Sequence, residues 1–179
     1  MSDQEFFMFC HDNPQLKLER ESDGKIIFMS PSGSSTSNII LKIAFEIELY
    51  NRQHQLGEVF ESSAGFTLPD GSVRAADIAL VTYQQLDTIT EAEYQKFAPV
   101  TPLFIVEVAS PSDRLADQQA KMDVWMRNGV QLGWLIDPNA QQAWVYRQNQ
   151  APQHIDNFNE ALKGGSILPE FTLELSLRK

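Results

Sequence analysis

Apolar and charged residues alternate near the start of the chain, where Leu16 and Leu18 are interleaved with Lys17 and Glu19. Ser22-Asp23-Gly24 supplies turn chemistry, and Lys25 to Met29 follows as a mostly apolar run. Two such runs around a short turn predict a β-hairpin. Ser30 to Ser37 is rich in hydroxyls that cap helices, and Ile39, Ile40, Ile43, Ala44, Ile47 and Tyr50 then recur at helical spacing. A helix to about Gln55 is predicted, ended by Gly57. Short strands are expected at 58–61 and 65–68, a turn at Pro69-Asp70-Gly71, and one strand from Val73 to Thr82. The polar stretch Thr88 to Phe97 has room for one short helix. Leu103 to Ala109 is apolar except for Glu107, the mark of a central strand covered on both faces. Pro111 and Ser112 break that strand. A helix follows from about Asp113 to Asn128, capped by Ser110, Ser112 and Asp113 and closed by Gly129. Leu132 to Ile136 is a further strand, and Ala143 to Arg147 returns antiparallel after the turn Asp137-Pro138-Asn139. Short strands and the Gly164-Gly165 loop complete the chain. The element order predicts an α/β (α+β) domain built on a mixed sheet.

Composition narrows the class. The chain has 179 residues, 42% of them hydrophobic and 10% aromatic, enough for one domain with a substantial core. One domain over 1–179 is expected, with 1–13 as a loosely ordered arm. The only cysteine, Cys10, has no partner for an internal disulfide, which suits a reducing compartment. Phe6 to Cys10 is too short for a signal peptide and has no basic region before it. No run reaches the ~20 apolar residues of a membrane span. A cytoplasmic protein without a membrane partner is the expectation. The formal charge is −10, which argues against a protein that coats nucleic acid through its phosphates. An enzyme with a local cationic or metal-assisted site remains compatible with it.

Three residues carry candidate chemistry. Glu107 sits among Ile105, Val106 and Val108, where an ionised carboxylate costs several kcal/mol unless it is paired or metal-bound. Asp77 opens the apolar half of the 73–82 segment; alone, it reads as an edge residue accepting backbone hydrogen bonds. Lys121 shares a helix face with Asp117 and Trp125, and alone it reads as a surface lysine paired to Asp117. Together the three mean more. Two carboxylates from adjacent strands suit Mg²⁺, which takes oxygen ligands and keeps several waters. A lysine over the same spot can steady or deprotonate a bound water or neutralise a phosphate. A structural ion pair among the same three residues is the competing reading.

The arrangement Asp77…Glu107-Val108-Ala109 with Lys121 downstream resembles the PD-(D/E)xK nuclease superfamily. The wider match is to its Uma-type branch of putative restriction endonucleases. That resemblance is carried by Met29-Ser30-Pro31-Ser32-Gly33, Gly57-Glu58-Val59-Phe60, Gly65 to Gly71 and Val73 to Ala79. Val106 to Asp113, Gly133 to Pro138, Val145-Tyr146-Arg147 and Ile167 to Phe171 continue it. It implies a restriction-endonuclease-like mixed sheet flanked by helices and a Mg²⁺-dependent endonuclease, with Mn²⁺ as a substitute. DNA is the implied substrate, and a homodimer suits a double-strand cut. Asp77 and Glu107 would bind the metal, with the Val108 carbonyl a further ligand. The superfamily lysine position is occupied by Ala109, and its role would pass to Lys121. Ala76 stands in place of the proline before the aspartate. Ser35 stands where family members often carry an acid, and Glu46 is a distant substitute on the same helix. A nuclease fold retained as an interaction module without catalysis is the alternative that Ser35 and the net charge support.

The remaining candidates read as structural. His11, His54 and His154 lack metal-ligand spacing, and Trp125, Trp134 and Trp144 read as core. Gly164-Gly165 lacks the helix and lysine of a phosphate cradle. Ser110 and Gln119 are secondary candidates for orienting water or substrate.

Overall fold

In a computed structural model, residues 1–175 are described. Helix α1 (Asp3–Asp12) precedes the hairpin β1 (Lys17–Arg20) and β2 (Ile26–Met29). The long helix α2 (Ser34–His54) leads to β3 (Gly57–Glu61), β4 (Phe66–Thr67), β5 (Val73–Arg74) and β6 (Ile78–Thr82). Two single-turn helices, α3 (Tyr83–Leu86) and α4 (Glu91–Tyr94), lie before β7 (Phe104–Val108). Helix α5 (Leu115–Arg127) connects β7 to β8 (Leu132–Asp137). The chain then forms β9 (Gln142–Arg147), β10 (Gln153–Ile155), β11 (Leu162–Lys163) and β12 (Thr172–Leu173).

Six strands form the main sheet in the order β10-β9-β8-β7-β6-β3. β7 and β8 run parallel, with Glu107 in register with Leu135, while the flanking pairs are antiparallel. This parallel pair requires a crossover, which α5 provides. Strand alternation divides the core into two layers. Phe104, Val106 and Val108 face Ile39, Ile43 and Ile47 of α2, while Ile105 lies with Met122 and Trp125 of α5. Glu107 shares the Ile105 side and so meets α5. Gly133 permits the close approach of that helix, because a Cβ there would lie 2.6 Å from Met122 Cε.

A smaller sheet, ordered β2-β1-β5-β4, stands beside the main one. The predicted single strand 73–82 is two strands. Val73–Arg74 belongs to the small sheet and Ile78–Thr82 to the large one, with Ala75-Ala76-Asp77 as the crossing. The backbone groups of Ala75 find side chains in place of ladder partners: its N–H donates to Glu19 and its carbonyl accepts from Lys121. That is how a buried sheet switch keeps its polar groups satisfied.

Several expectations are corrected. The 1–13 stretch is an ordered helix, not a loose arm. Ser2 and Glu5 form a capping box, Phe6 is fully buried against Phe97, and Arg20 pairs with Asp3 and lies over the Phe6 ring. The polar stretch Thr88 to Phe97 holds the one short helix expected there, α4, while α3 at Tyr83–Leu86 precedes it and was not expected. Gln55 closes α2 in the left-handed conformation, φ 50°. Gly57 instead begins β3, where a Cβ would stand 1.9 Å from the Val81 carbonyl oxygen. At α5 the cap position is Arg114, without a side-chain cap; Asp113 instead accepts from the amide and hydroxyl of Ser110 in the loop before it. No helix among the described residues is long and apolar enough to cross a membrane.

Phe6→Ala removes the apolar peg of α1 and is expected to cost about 3–5 kcal/mol. Urea denaturation measures that loss, and an unchanged midpoint would mean that α1 is not part of the cooperative unit.

Candidate active site

The crossing at Ala75–Asp77, the C-terminal half of β7, the inner face of α5 and strand β1 meet around one cavity of about 660 Å³. Each contributes at least one ionisable side chain. Glu107 comes from the middle of the main sheet, 3% exposed. Lys121 reaches down from the second turn of α5, and its Nζ lies 2.9 Å from Glu107 Oε1 and 2.9 Å from Glu19 Oε1. The Ala75 carbonyl oxygen, 2.8 Å away, takes the third proton. An ammonium group has three donors and no more. Lys121 is therefore held by three acceptors on three elements.

Glu107 Oε1 also accepts from the Trp125 indole N–H at 3.0 Å. Trp125 lies one helical turn beyond Lys121, so a single face of α5 delivers both donors to the same oxygen. Trp125 and Trp134 are fully buried, and Trp144 nearly so. Asp77 accepts from the Val108 amide at 2.7 Å, which fixes the crossing against the residue after Glu107. Glu19 completes the group. Its Oε2 accepts from Arg74 Nη1 at 2.9 Å and its Oε1 from the Ala75 amide at 3.0 Å. Glu21 lies 3.4 Å from Arg74 Nη2.

The electrostatics follow from burial and pairing. Desolvation drives the Glu107 carboxyl up to about 8, against the pull of Lys121, with Asp77 and Glu19 adding like-charge repulsion. Desolvation also raises Asp77, opposed by its bond from Val108 and by Lys121. Glu19 is held below the ordinary carboxylate range: burial works against ionisation, but Lys121 and Arg74 outweigh it. Burial disfavours the Lys121 charge too, but Glu107 and Glu19 overcome that and keep it protonated well above its usual range. The site thus contains one firmly ionised acid, two acids short of positive charge, and a permanent cation.

Asp77, Glu107 and Lys121, singled out from the sequence, all line this cavity. Lys121 pairs with Glu107 and not with Asp117, although Asp117 lies on the same cavity wall. Glu46 is exposed on α2, the helix that covers the opposite face of the main sheet, so it cannot replace the acid absent at Ser35. Ser110 lines the cavity, as does Gln118 rather than its neighbour Gln119. Among the described residues, no group of three or more His, Cys, Asp and Glu is placed to hold a metal ion as a cage. A Mg²⁺ ion needs no such cage: one or two carboxylates and several waters suffice. Asp77 and Glu107 are hard oxygen donors on one cavity, and the ammonium of Lys121 that pairs with Glu107 is shared with Glu19. This donor set fits Mg²⁺ or Mn²⁺.

Glu19, Arg74 and Trp125 were not read as site residues from the sequence. Glu19 looked like one charged position of an alternating strand, and the pairing of β1 with β5 that carries it to Lys121 is non-local. Arg74 was visible only as part of the run 73–79. Glu19→Ala would leave the buried Arg74 without its carboxylate and remove one acceptor from Lys121. Breaking a buried pair in this way costs about 3–5 kcal/mol. Chemical denaturation checks the value, and a loss below about 1 kcal/mol would contradict a structural role for the pair.

A family model described as "Putative restriction endonuclease", Uma2, matches residues 3–177. The structure is similar to the crystal structure of a putative nuclease belonging to DUF820 from Anabaena variabilis. The TM-score is 0.76 at 22% sequence identity, with 88% of this chain and 87% of that one covered. At that identity the likeness shows the fold. No curated protein matches the chain. Since the family model spans nearly the whole sequence, and the mixed sheet flanked by helices agrees with it, the chain belongs to the Uma2 family of putative restriction endonucleases.

Proposed function

We propose that the protein is a metal-dependent endonuclease that hydrolyses DNA phosphodiester bonds. The observation that carries this reading is the convergence of Asp77, Glu107 and Lys121 on one cavity, with Lys121 Nζ 2.9 Å from Glu107. Asp77 and Glu107 would hold Mg²⁺, with the Val108 carbonyl as a candidate further ligand. When bound, the ion supplies a Lewis acid and lowers the pKa of coordinated water. Lys121 acts as a fixed cation and not as a base, because its three protons are engaged and its charge is strongly stabilised. Its task is to offset the charge that develops on phosphate oxygens in the transition state. Trp125 and Lys121 orient Glu107 through Oε1, and Glu19 orients Lys121. The cavity walls remove the acids from bulk water, which strengthens these interactions.

The test is cleavage of circular DNA, single-stranded and supercoiled duplex, in Mg²⁺ or Mn²⁺. Circles exclude end-directed digestion. Opening of either circle, abolished by EDTA, is the expected result; two intact circles at high enzyme concentration would overturn the proposal. The second reading is an inactive interaction module, favoured by the completely satisfied Lys121 network and the serine at position 35. Millimolar or weaker metal binding would support it.

Metal affinity should depend on pH. Glu107, raised to about 8 by burial, must lose its proton before it holds a cation. Because its folded value lies above the unfolded one, its stabilising contribution is full below about pH 4.5 and is lost as pH rises through about 8. A bound cation reverses that trend. Calorimetry with Mn²⁺ at pH 6, 7 and 8 should show affinity climbing toward pH 8 with proton release. Affinity independent of pH would contradict the assignment of Glu107 as a ligand.

A further inference from the structure

The cavity that holds the acids has a second character. Along its lining, five carboxylates (Glu19, Asp77, Glu107, Asp113 and Asp117) outnumber three cations, Lys17, Arg74 and Lys121. Two of those cations are already taken, Arg74 by Glu19 and Lys121 by Glu19 and Glu107. That leaves Lys17, bonded to the Ser62 hydroxyl at 3.3 Å, as the lining cation for phosphates other than the scissile one, on which Lys121 acts through its charge alone. A duplex held by its backbone needs many phosphate contacts, each with a Lys or Arg. This cavity cannot supply them.

The rest of the lining offers a different source of affinity. The hairpin side contributes Leu16, Leu18, Ile27, Phe28 and Met29 to the same cavity. Phe28, on the edge strand β2, is 68% exposed. An exposed aromatic ring beside a phosphodiester-cleaving centre is suited to an unpaired base, whose flat face stacks whatever its sequence. Bases in duplex DNA are already stacked on each other and present only their edges in the grooves.

We propose that the substrate is single-stranded DNA, held mainly by packing of unpaired bases on the hairpin wall around Phe28, with the scissile phosphate at Asp77 and Glu107. This inference rests on the nuclease reading above and specifies its substrate. Serine hydroxyls at Ser30 and Ser32 on the same lining are neutral donors that can approach a phosphate without adding charge. Such a substrate needs one site, not the pair of sites that motivated the expectation of a homodimer.

The experiment is fluorescence anisotropy with a labelled 12-nucleotide single strand and the matching duplex. Ca²⁺ replaces Mg²⁺, and salt is varied from 50 to 200 mM. The proteins are the intact wild type, Phe28→Ser and, as a control, Phe45→Ser, whose ring is 63% exposed on α2, away from the cavity. The single strand should bind at least about ten-fold tighter than the duplex, with a shallow salt dependence. Phe28→Ser should lose about ten-fold in affinity, with Phe45→Ser unchanged. Equal or tighter duplex binding, a steep salt slope, or equal effects of the two variants would overturn the inference. Single-strand binding through Phe28 without cleavage in Mg²⁺ would leave the binding mode standing but remove the nuclease reading, and with it the strand's role as a substrate. Cleavage of duplex alone would do the opposite.

Discussion

Lys121→Met is expected to abolish DNA cleavage and to destabilise the fold by about 3–5 kcal/mol, the cost of stripping the partner from buried charges. The ammonium is the point at which Glu19, Glu107 and the Ala75 carbonyl converge. Without it, two carboxylates face each other in a dry setting, and the sheet-switching backbone at Ala75 loses its donor. The defect should deepen with rising pH. Glu107 already resists ionisation through desolvation, and removing Lys121 takes away the cation that opposes this and one of the two cations that hold Glu19 low, Arg74 being the other. Both acids are then shifted toward protonation in the folded state. For Glu107 the stabilising contribution is intact at low pH and disappears as pH rises through its elevated folded value. Thermal denaturation of wild type and Lys121→Met between pH 5 and 8 checks this, and a difference that shrinks with pH would contradict it. Loss of activity can then be separated from loss of fold by assaying at a temperature where the variant remains native.

The second large effect belongs to the two acids. Asp77→Asn and Glu107→Gln keep the shape of each side chain and remove its charge. Each should reduce cleavage by at least about 10²–10³-fold and eliminate calorimetric Mn²⁺ binding. Their effects on stability should differ in sign from that of Lys121→Met. Glu107→Gln relieves a carboxylate whose ionisation burial opposes, and Asp77→Asn can still accept from the Val108 amide. Neither variant should unfold the protein. Full activity in both would detach the carboxylates from the chemistry and leave a structural ion network.

Local pattern exposed most of the elements that build this site. The period-2 alternation of 16–19 and the apolar run 25–29, the helical spacing of 39–50 and the apolar run 103–109 correspond to β1–β2, α2 and β7. Glu107 was legible because it is a charge in a run that otherwise buries on both faces, and Lys121 because helical spacing places it one turn from Trp125. What remained hidden is non-local. A residue-by-residue pattern cannot show that Val73–Arg74 and Ile78–Thr82 join different sheets, because both read as extended and apolar. The break lies where Glu19 and Lys121, from opposite ends of the sequence order, replace ladder bonds at Ala75. Glu19 was missed for the same reason, since only the docking of the hairpin through β5 brings it to Lys121. The 1–13 helix was missed because its one deeply buried anchor, Phe6, gives little periodicity, and its partners Arg20 and Phe97 lie far along the chain.

A crystal soaked in Mn²⁺ and measured at the manganese absorption edge tests the central claim most directly. The account predicts one strong anomalous peak between the carboxylates of Asp77 and Glu107, with Lys121 still protonated and bonded to Glu19. A saturating soak that leaves that space without a peak, while Lys121 bridges Glu19 and Glu107 unchanged, would contradict it.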